Sequence, residues 1–134
     1  MINCSLLNTV DYDSNIKVFI YWNLTRHIWS VKALSGPSRG RVIYHMKDVV
    51  LKDCQFKVSE RQRQFILKNK RKVVHAGVVG YLCNHLTDHS DEFISVTYNP
   101  YKFSTFVNKE DNGQPIFNAR IVCMSHDKTV KAYQ

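Results

Sequence analysis

The residues with the most chemistry to offer lie in one run, Val58-Ser59-Glu60-Arg61-Gln62-Arg63-Gln64-Phe65-Ile66-Leu67-Lys68-Asn69-Lys70-Arg71-Lys72, followed by Val73-Val74-His75-Ala76. Arginine forks and lysine ammonium groups neutralise phosphates, and every such contact makes binding weaken as salt rises. Arg61, Arg63, Lys68, Lys70, Arg71 and Lys72, joined by Arg39, Arg41 and Lys47 upstream, are the candidate contacts to nucleic acid, to a host nucleoprotein or to an acidic protein surface. A solvated cationic helix is the plainer account of the same run. Phosphate contacts position a ligand without reading its bases, so the run implies affinity rather than sequence specificity.

Other side chains extend or compete with that reading. Phe19, Tyr21 and Trp29 fall on neighbouring runs with Lys17, Arg26 and Lys32, the ingredients of a base-stacking platform, although a sheet covered on both faces would need the same aromatic residues for its core. Histidines at 27, 45, 75, 85, 89 and 126 open an enzymatic alternative. A metal-independent ribonuclease or phosphodiesterase needs a general base near neutral pH, a general acid and a cation for the charged phosphorane. His45 and His75, with Arg61, Arg63 and Tyr44 or Tyr98, would supply that set if the fold assembled them. A strand histidine beside valines is more often a hydrogen-bonded core residue, and the balance favours a non-enzymatic protein. Cys83-x-His85-x-x-x-His89 with Asp88 and Asp91 has a ligand-like spacing, but its neighbours read as a solvated loop. No H-E-x-x-H, P-loop, GxGxxG, G-x-S-x-G, EF-hand or RRM signature occurs, and neither metal nor cofactor is expected.

The charge is segregated. The chain of 134 residues carries +8, yet Arg26 to Lys72 holds thirteen Lys and Arg against Asp48, Asp53 and Glu60, a balance of +10 that leaves −2 elsewhere. Such concentration is the electrostatic footprint of a polyanion site. A hydrophobic fraction of 44% is ample for a folded interior, and the length suits a single domain over residues 1–134. No stretch reaches the roughly 20 apolar residues of a membrane-spanning helix. The amino terminus, MINCSLLNTVDYDSN, lacks the features of a secretory signal, so a cytoplasmic protein is expected. Cys54, Cys83 and Cys123 form no C-x-x-C pair and read as small buried hydrophobes.

The elements that must position these groups follow from period. In Ile16 to Trp22, Ile16, Val18, Ile20 and Trp22 share one face, and Lys17, Phe19 and Tyr21 the other. Asn23-Leu24-Thr25-Arg26 turns this strand into a hairpin with His27 to Leu34, and Ser35-Gly36-Pro37-Ser38-Arg39-Gly40 is a second turn. Arg41 to Met46 and Val49 to Val58 read as strands, with Cys54, Phe56 and Val58 inward and Gln55 and Lys57 outward. Ser59-Glu60-Arg61-Gln62 fits a capping box opening a helix over about 60–70, in which Phe65 and Ile66 bury. Val73 to Leu82 suits a central strand whose Gly77 and Gly80 let another group approach closely. Further strands are expected at Phe93 to Tyr98, Tyr101 to Val107 and Ile116 to Met124, with a last ten residues that fray. The expected fold is a single α+β domain, rich in mostly antiparallel strands, about eight of them, with one principal helix.

The blocks Tyr21-Trp22-Asn23-Leu24, Gly40-Arg41-Val42-Ile43-Tyr44-His45, Val58 to Gly80 and Asn99-Pro100-Tyr101 resemble a group of small proteins encoded by bacteriophages. The resemblance spans roughly residues 16–107 and implies expression in a bacterial host cytoplasm. Small phage accessory proteins commonly modify or block host machinery, including nucleases, polymerases and CRISPR complexes. It therefore implies a host-takeover or anti-defence inhibitor, acting on nucleic acid, on a nucleoprotein or, as a protein-only inhibitor, on an acidic groove. The resemblance transfers no catalytic residue.

Overall fold

Alternation with period two does fix the architecture, and more completely than expected. A computed structural model describes residues 16–69, 76–83, 93–99, 102–110 and 113–134. Among these residues, ten strands and one helix follow one another: β1 (Lys17–Asn23), β2 (Ile28–Ala33), β3 (Val42–Met46), β4 (Val49–Val58), α1 (Glu60–Asn69), β5 (Ala76–Leu82), β6 (Ile94–Thr97), β7 (Val107–Asn108), β8 (Gln114–Pro115), β9 (Asn118–Met124) and β10 (Val130–Tyr133). All strands join one antiparallel sheet in the order β3-β2-β1-β5-β4-β9-β10-β6-β7-β8. The domain is thus nearly all-β, which corrects the α+β expectation. One helix of ten residues is an appendage between β4 and β5, not a layer of its own.

The sheet cannot be flat. Between β3 and β4 lie only Lys47 and Asp48, while three other strands separate them in the sheet. Four strand steps would span ~19 Å in a flat sheet. The chain from Met46 to Val49 reaches ~11 Å at most. The sheet therefore curls, and further contacts join β1, β2 and the β3–β4 turn to the turn between β9 and β10. Trp29 Nε1 on β2 donates to the carbonyl of Ser125 at 2.8 Å, and the ammonium of Lys128 lies 5.7 Å from the Trp22 ring centroid. Asp48 accepts the backbone N–H of His126 at 2.9 Å.

The inner face of the curl is the core. Val18, Ile20, Trp29, Val31, Leu51, Phe56, Val78, Leu82, Val122 and Met124 belong to one buried cluster drawn from strands across the sheet. Leu51 and Cys54 both point inward although three residues apart, which strict alternation forbids. A bulge at Asp53, whose φ is +52°, absorbs the extra residue and resets the phase of β4. Without it, Cys54, Phe56 and Val58 would face out.

Several local expectations needed correction. The final ten residues do not fray, because β10 pairs with β9 on one side and β6 on the other and buries Ala132 completely. The strand expected over Tyr101 to Val107 shrinks to Val107–Asn108, preceded by a turn in which Phe103 N–H donates to the Asn99 carbonyl. Of the two helix residues expected to bury, Ile66 does, whereas Phe65 stays 51% exposed. Gln62 N–H does reach Ser59 Oγ at 3.4 Å, so the serine caps α1. Cys54, Cys83 and Cys123 are buried, as their types suggested.

Candidate nucleic-acid interface

The outer face of the sheet carries the groups that the core rejects. Residues directly opposite one another on neighbouring strands share a face, so the registers map that surface row by row. One row runs Val42, Lys32, Phe19, Val79 and Gln55 across β3, β2, β1, β5 and β4. A second runs Lys17, Tyr81 and Lys52. A third contains His45, Ser30 and Tyr21 on one side, and Gly77 with Lys57 on the other. Lys17, Lys32, Lys52 and Lys57 all stand at outward positions of β1, β2 and β4. The only carboxylate in strands β1 to β5 is Asp53, held in the bulge.

A groove of about 710 Å³ opens on this face. Phe19, Tyr21 and Val79 contribute to its lining from the sheet, and Lys32 and Lys57 bring cations to it. Leu34, Gly40 and Val42 line it from the β2–β3 side, Asn23, Leu24 and Thr25 from the β1–β2 turn, and Ser59 and Gln62 from the start of α1. The Phe19 and Tyr21 rings lie 5.8 Å apart, tilted by 30°. Gly77 is what lets Phe19 lie down on the sheet. A Cβ built there would stand 2.9 Å from two carbons of the Phe19 ring and collide with the Ile20 carbonyl oxygen.

The turn bounding the groove is built by Asn23. Its Oδ1 accepts the N–H groups of Thr25 and Arg26, both at 3.0 Å, which fixes the orientation of the amide. Its Nδ2 therefore donates to Ser30 Oγ at 3.2 Å. Ser30, fully buried, also meets His45 Nδ1 at 3.2 Å. His45, one half of the candidate catalytic pair, is thus part of a hydrogen-bonded chain that braces β1, β2 and β3. His75, the other half, lies outside the described residues.

The cationic candidates separate into three groups. Arg39 and Arg41 are exposed and flank Gly40 at the groove, and exposed Arg61 precedes Gln62 on its α1 side. Lys68 is exposed in the last turn of α1, and Lys47 in the β3–β4 turn, neither of them lining the groove. Arg63 is committed elsewhere. Its Nε donates to the Phe103 carbonyl and its Nη1 to Glu60 Oε1, both at 3.0 Å, with 13% of the side chain exposed. Burial pushes the Tyr98 hydroxyl above its ordinary pKa, an effect that neighbouring Arg63 opposes and Glu60 reinforces. Lys70, Arg71 and Lys72 lie outside the described residues. Among the stacking candidates, Phe19 and Tyr21 line the groove, but Trp29 is only 5% exposed on the inner face, edge-on to Trp22 at 5.0 Å.

Sequence reasoning missed Lys52 and Lys57 as site residues because they lie outside the dense basic run. The signal was there in period: Lys57 was read as outward and Tyr21 as sharing a face with Lys17 and Phe19, but the meeting of Tyr21 and Lys57 across β5 depends on Gly77 and on strand order. Among the described residues, no three His, Cys, Asp or Glu side chains gather as metal ligands. The segment from 84 to 92, with its His85 and His89, falls outside those residues.

Comparison with known proteins places the chain. Residues 11–132 match the family model described as the Mycobacterium phage L5 gene 82 protein. The chain belongs to that family. The Gene 82 protein of Mycobacterium phage L5 is 37% identical over 125 residues, covering 87% of this chain and 95% of its own length. No solved structure matches. The phage resemblance read from the sequence is therefore correct. The label is a gene number, and an activity has to be argued from the sheet face.

Proposed function

We propose that this phage gene product is a non-enzymatic accessory protein that binds nucleic acid, free or within a host nucleoprotein, through the outer face of its sheet. The observation that carries the reading is the groove itself, in which Phe19 and Tyr21 lie between Lys32 and Lys57 with no carboxylate among the lining residues. Aromatic planes between cations are what a polynucleotide needs, since bases stack on the rings while phosphates meet the ammonium groups. Arg39, Arg41 and Arg61, at positions flanking the groove, would extend its positive field. The dense basic run remains a contributor through Arg61, while Arg63 serves the attachment of α1. No helix among the described residues is long and apolar enough to cross a membrane, and action in the bacterial host cytoplasm accords with a nucleic-acid ligand.

Fluorescence anisotropy with labelled oligonucleotides at low salt tests the reading. Binding should weaken steeply with added salt, and the double variant Lys32→Ala/Lys57→Ala should bind about tenfold or more weakly while melting like the parent. Absence of binding to RNA, single-stranded DNA and duplex DNA alike would refute it. Capture of a host protein that survives nuclease treatment would instead favour the protein-only inhibitor.

A further inference from the structure

The cationic aromatic surface does not end at the groove. Beyond Lys17, Tyr81 and Lys52, the same row continues to Ile121 on β9 and Tyr133 on β10, each residue standing opposite the next. Four strand steps separate Lys17 from Tyr133, or ~19 Å. At the far end Phe93 stacks on Tyr133, with ring centroids 5.9 Å apart and planes 28° from parallel. The guanidinium of Arg120, an exposed residue, is held 5.8 Å from the Tyr133 centroid. One row further out, Val50, Cys83 and Cys123 are buried in a small second cluster, so the Lys17 to Tyr133 row forms the margin of the outer face.

We infer that the ligand is an extended single strand of nucleic acid, which stacks bases on Phe19 and Tyr21 in the groove and continues along this margin to a second stacking position at Arg120 and Tyr133. The inference rests on the nucleic-acid reading of the groove and adds the form and path of the polymer. Three features favour a single strand over a duplex. Stacking sites on Phe19 and Tyr21 need unpaired bases, because paired ones have both faces covered by their neighbours. The cations Lys32, Lys57, Lys52 and Lys17 alternate with ring-bearing positions in adjacent rows, which suits a backbone whose bases splay to one side. A guanidinium lying over an aromatic ring presents a flat cationic plane, a surface on which a base stacks and which an ammonium group cannot reproduce. Lys52 and Tyr81 lie between the two stacking positions, so a strand must be long enough to cross them before it reaches Arg120.

The test compares oligo(dT) and oligo(rU) of roughly four and roughly twelve nucleotides, lengths within the range of single-strand sites on small β-barrels, with a duplex of the longer length. Fluorescence anisotropy is measured for the intact protein and for Arg120→Ala, Arg120→Lys and Lys52→Ala. The parent should bind the longer strand at least tenfold more tightly than the shorter one, and more tightly than the duplex. Arg120→Ala and Arg120→Lys should each lose about tenfold on the longer strand and nothing on the shorter. Lys52→Ala, at an exposed position, should lose severalfold on the longer strand only, which guards against misfolding of the Arg120 variants. Equal affinity for strand and duplex, equal affinity for both lengths, or an unchanged Arg120→Ala would overturn the inference while leaving groove binding intact. Failure of every oligonucleotide to bind the parent would remove the proposed function together with it.

Discussion

At the scale of single residues, the groove depends on a glycine as much as on the groups that line it. Gly77 has no side chain to offer a ligand, but its bare Cα leaves the space in which the Phe19 ring lies on the sheet between β1 and β5. The sequence marked Gly77 and Gly80 as points of close approach, and both are: Gly80 faces inward, where an added Cβ would stand 2.9 Å from the Lys52 carbonyl and 3.3 Å from Cys54 Sγ. What stayed hidden was the identity of the neighbour, since Phe19 is 58 positions away and meets Gly77 only through strand order. Gly77→Ala should therefore destabilise the domain by about 2–3 kcal/mol, the cost of overpacking against backbone that must move. It should also displace Phe19 and weaken oligonucleotide binding beyond the loss of folded protein. Chemical denaturation gives the first quantity and anisotropy on the folded fraction the second. An unchanged denaturation midpoint would show that β5 has room that the Ile20 carbonyl denies it. Cys54 makes a different kind of statement. Burial, with nearby Asp53 adding to it, pushes the thiol far above its ordinary pKa. A raised folded-state pKa means that stability is fully present below the ordinary thiol range and declines as pH rises through and beyond it, because only the unfolded chain ionises freely. Denaturation midpoints measured from neutral to strongly alkaline pH should fall above that range, and replacing Cys54 by Ala should flatten the fall.

Among the elements, the strands that alternate strictly were legible and those that break period were not. β1 was divided correctly into its two faces, and the structure turns Val18 and Ile20 inward and Phe19 and Tyr21 outward. β4 holds two phases joined by the Asp53 bulge, and only its second half was assigned. Trp29 was counted among the stacking candidates because it is close in sequence to Lys32. The register places it opposite Trp22, on the inner face, where it has a different task. Its indole N–H is the donor that ties β2 to the β9–β10 turn, and Lys128 from the same turn sits over Trp22. Trp29→Phe keeps an aromatic ring in the core but loses that bond and part of the ring volume, leaving the Ser125 carbonyl without its indole partner. A loss of about 1–2 kcal/mol is expected, with amide hydrogen exchange accelerating first in Ser125 to Thr129. If exchange in that turn stayed at the parental rate, the indole bond would not be what holds the turn against β2. The face assignment also carries an optical consequence. Ligand stacking on Phe19 and Tyr21 leaves Trp29, on the opposite face, out of direct contact.

At the scale of the whole molecule, the sheet is a single cooperative object, and its least promising segment in the sequence lies near its middle. The last ten residues are polar apart from Val130, Ala132 and Tyr133, too short an alternation to announce a strand against a background of charge. Packing decides otherwise. β10 lies between β9 and β6, so among the described residues the hydrogen-bonded ladder from β6, β7 and β8 to the other strands runs through it. Its removal would strip the partners from one edge of β9, leaving only the β4 edge paired, and uncover Val122 and Met124, which are 0% and 2% exposed in the intact domain. The net stability of a domain is commonly about 5–15 kcal/mol, a margin that the loss of an interior strand exceeds. A chain ended at Lys128 keeps the Ser125 carbonyl for Trp29 and the ammonium for Trp22, so it isolates the contribution of β10 from that of the turn. Such a chain should lose its cooperative thermal transition by circular dichroism and become sensitive to trypsin throughout, rather than only at its new end. Ala132→Asp, which places a carboxylate at a fully buried position in the full-length chain, should do the same in weaker form. A truncated chain that melted cooperatively within a few degrees of the parent would mean that β9 can close the sheet by itself. The curved surface bearing Lys17, Phe19, Tyr21 and Lys57 would then be separable from the Tyr133 end that the single-strand path requires.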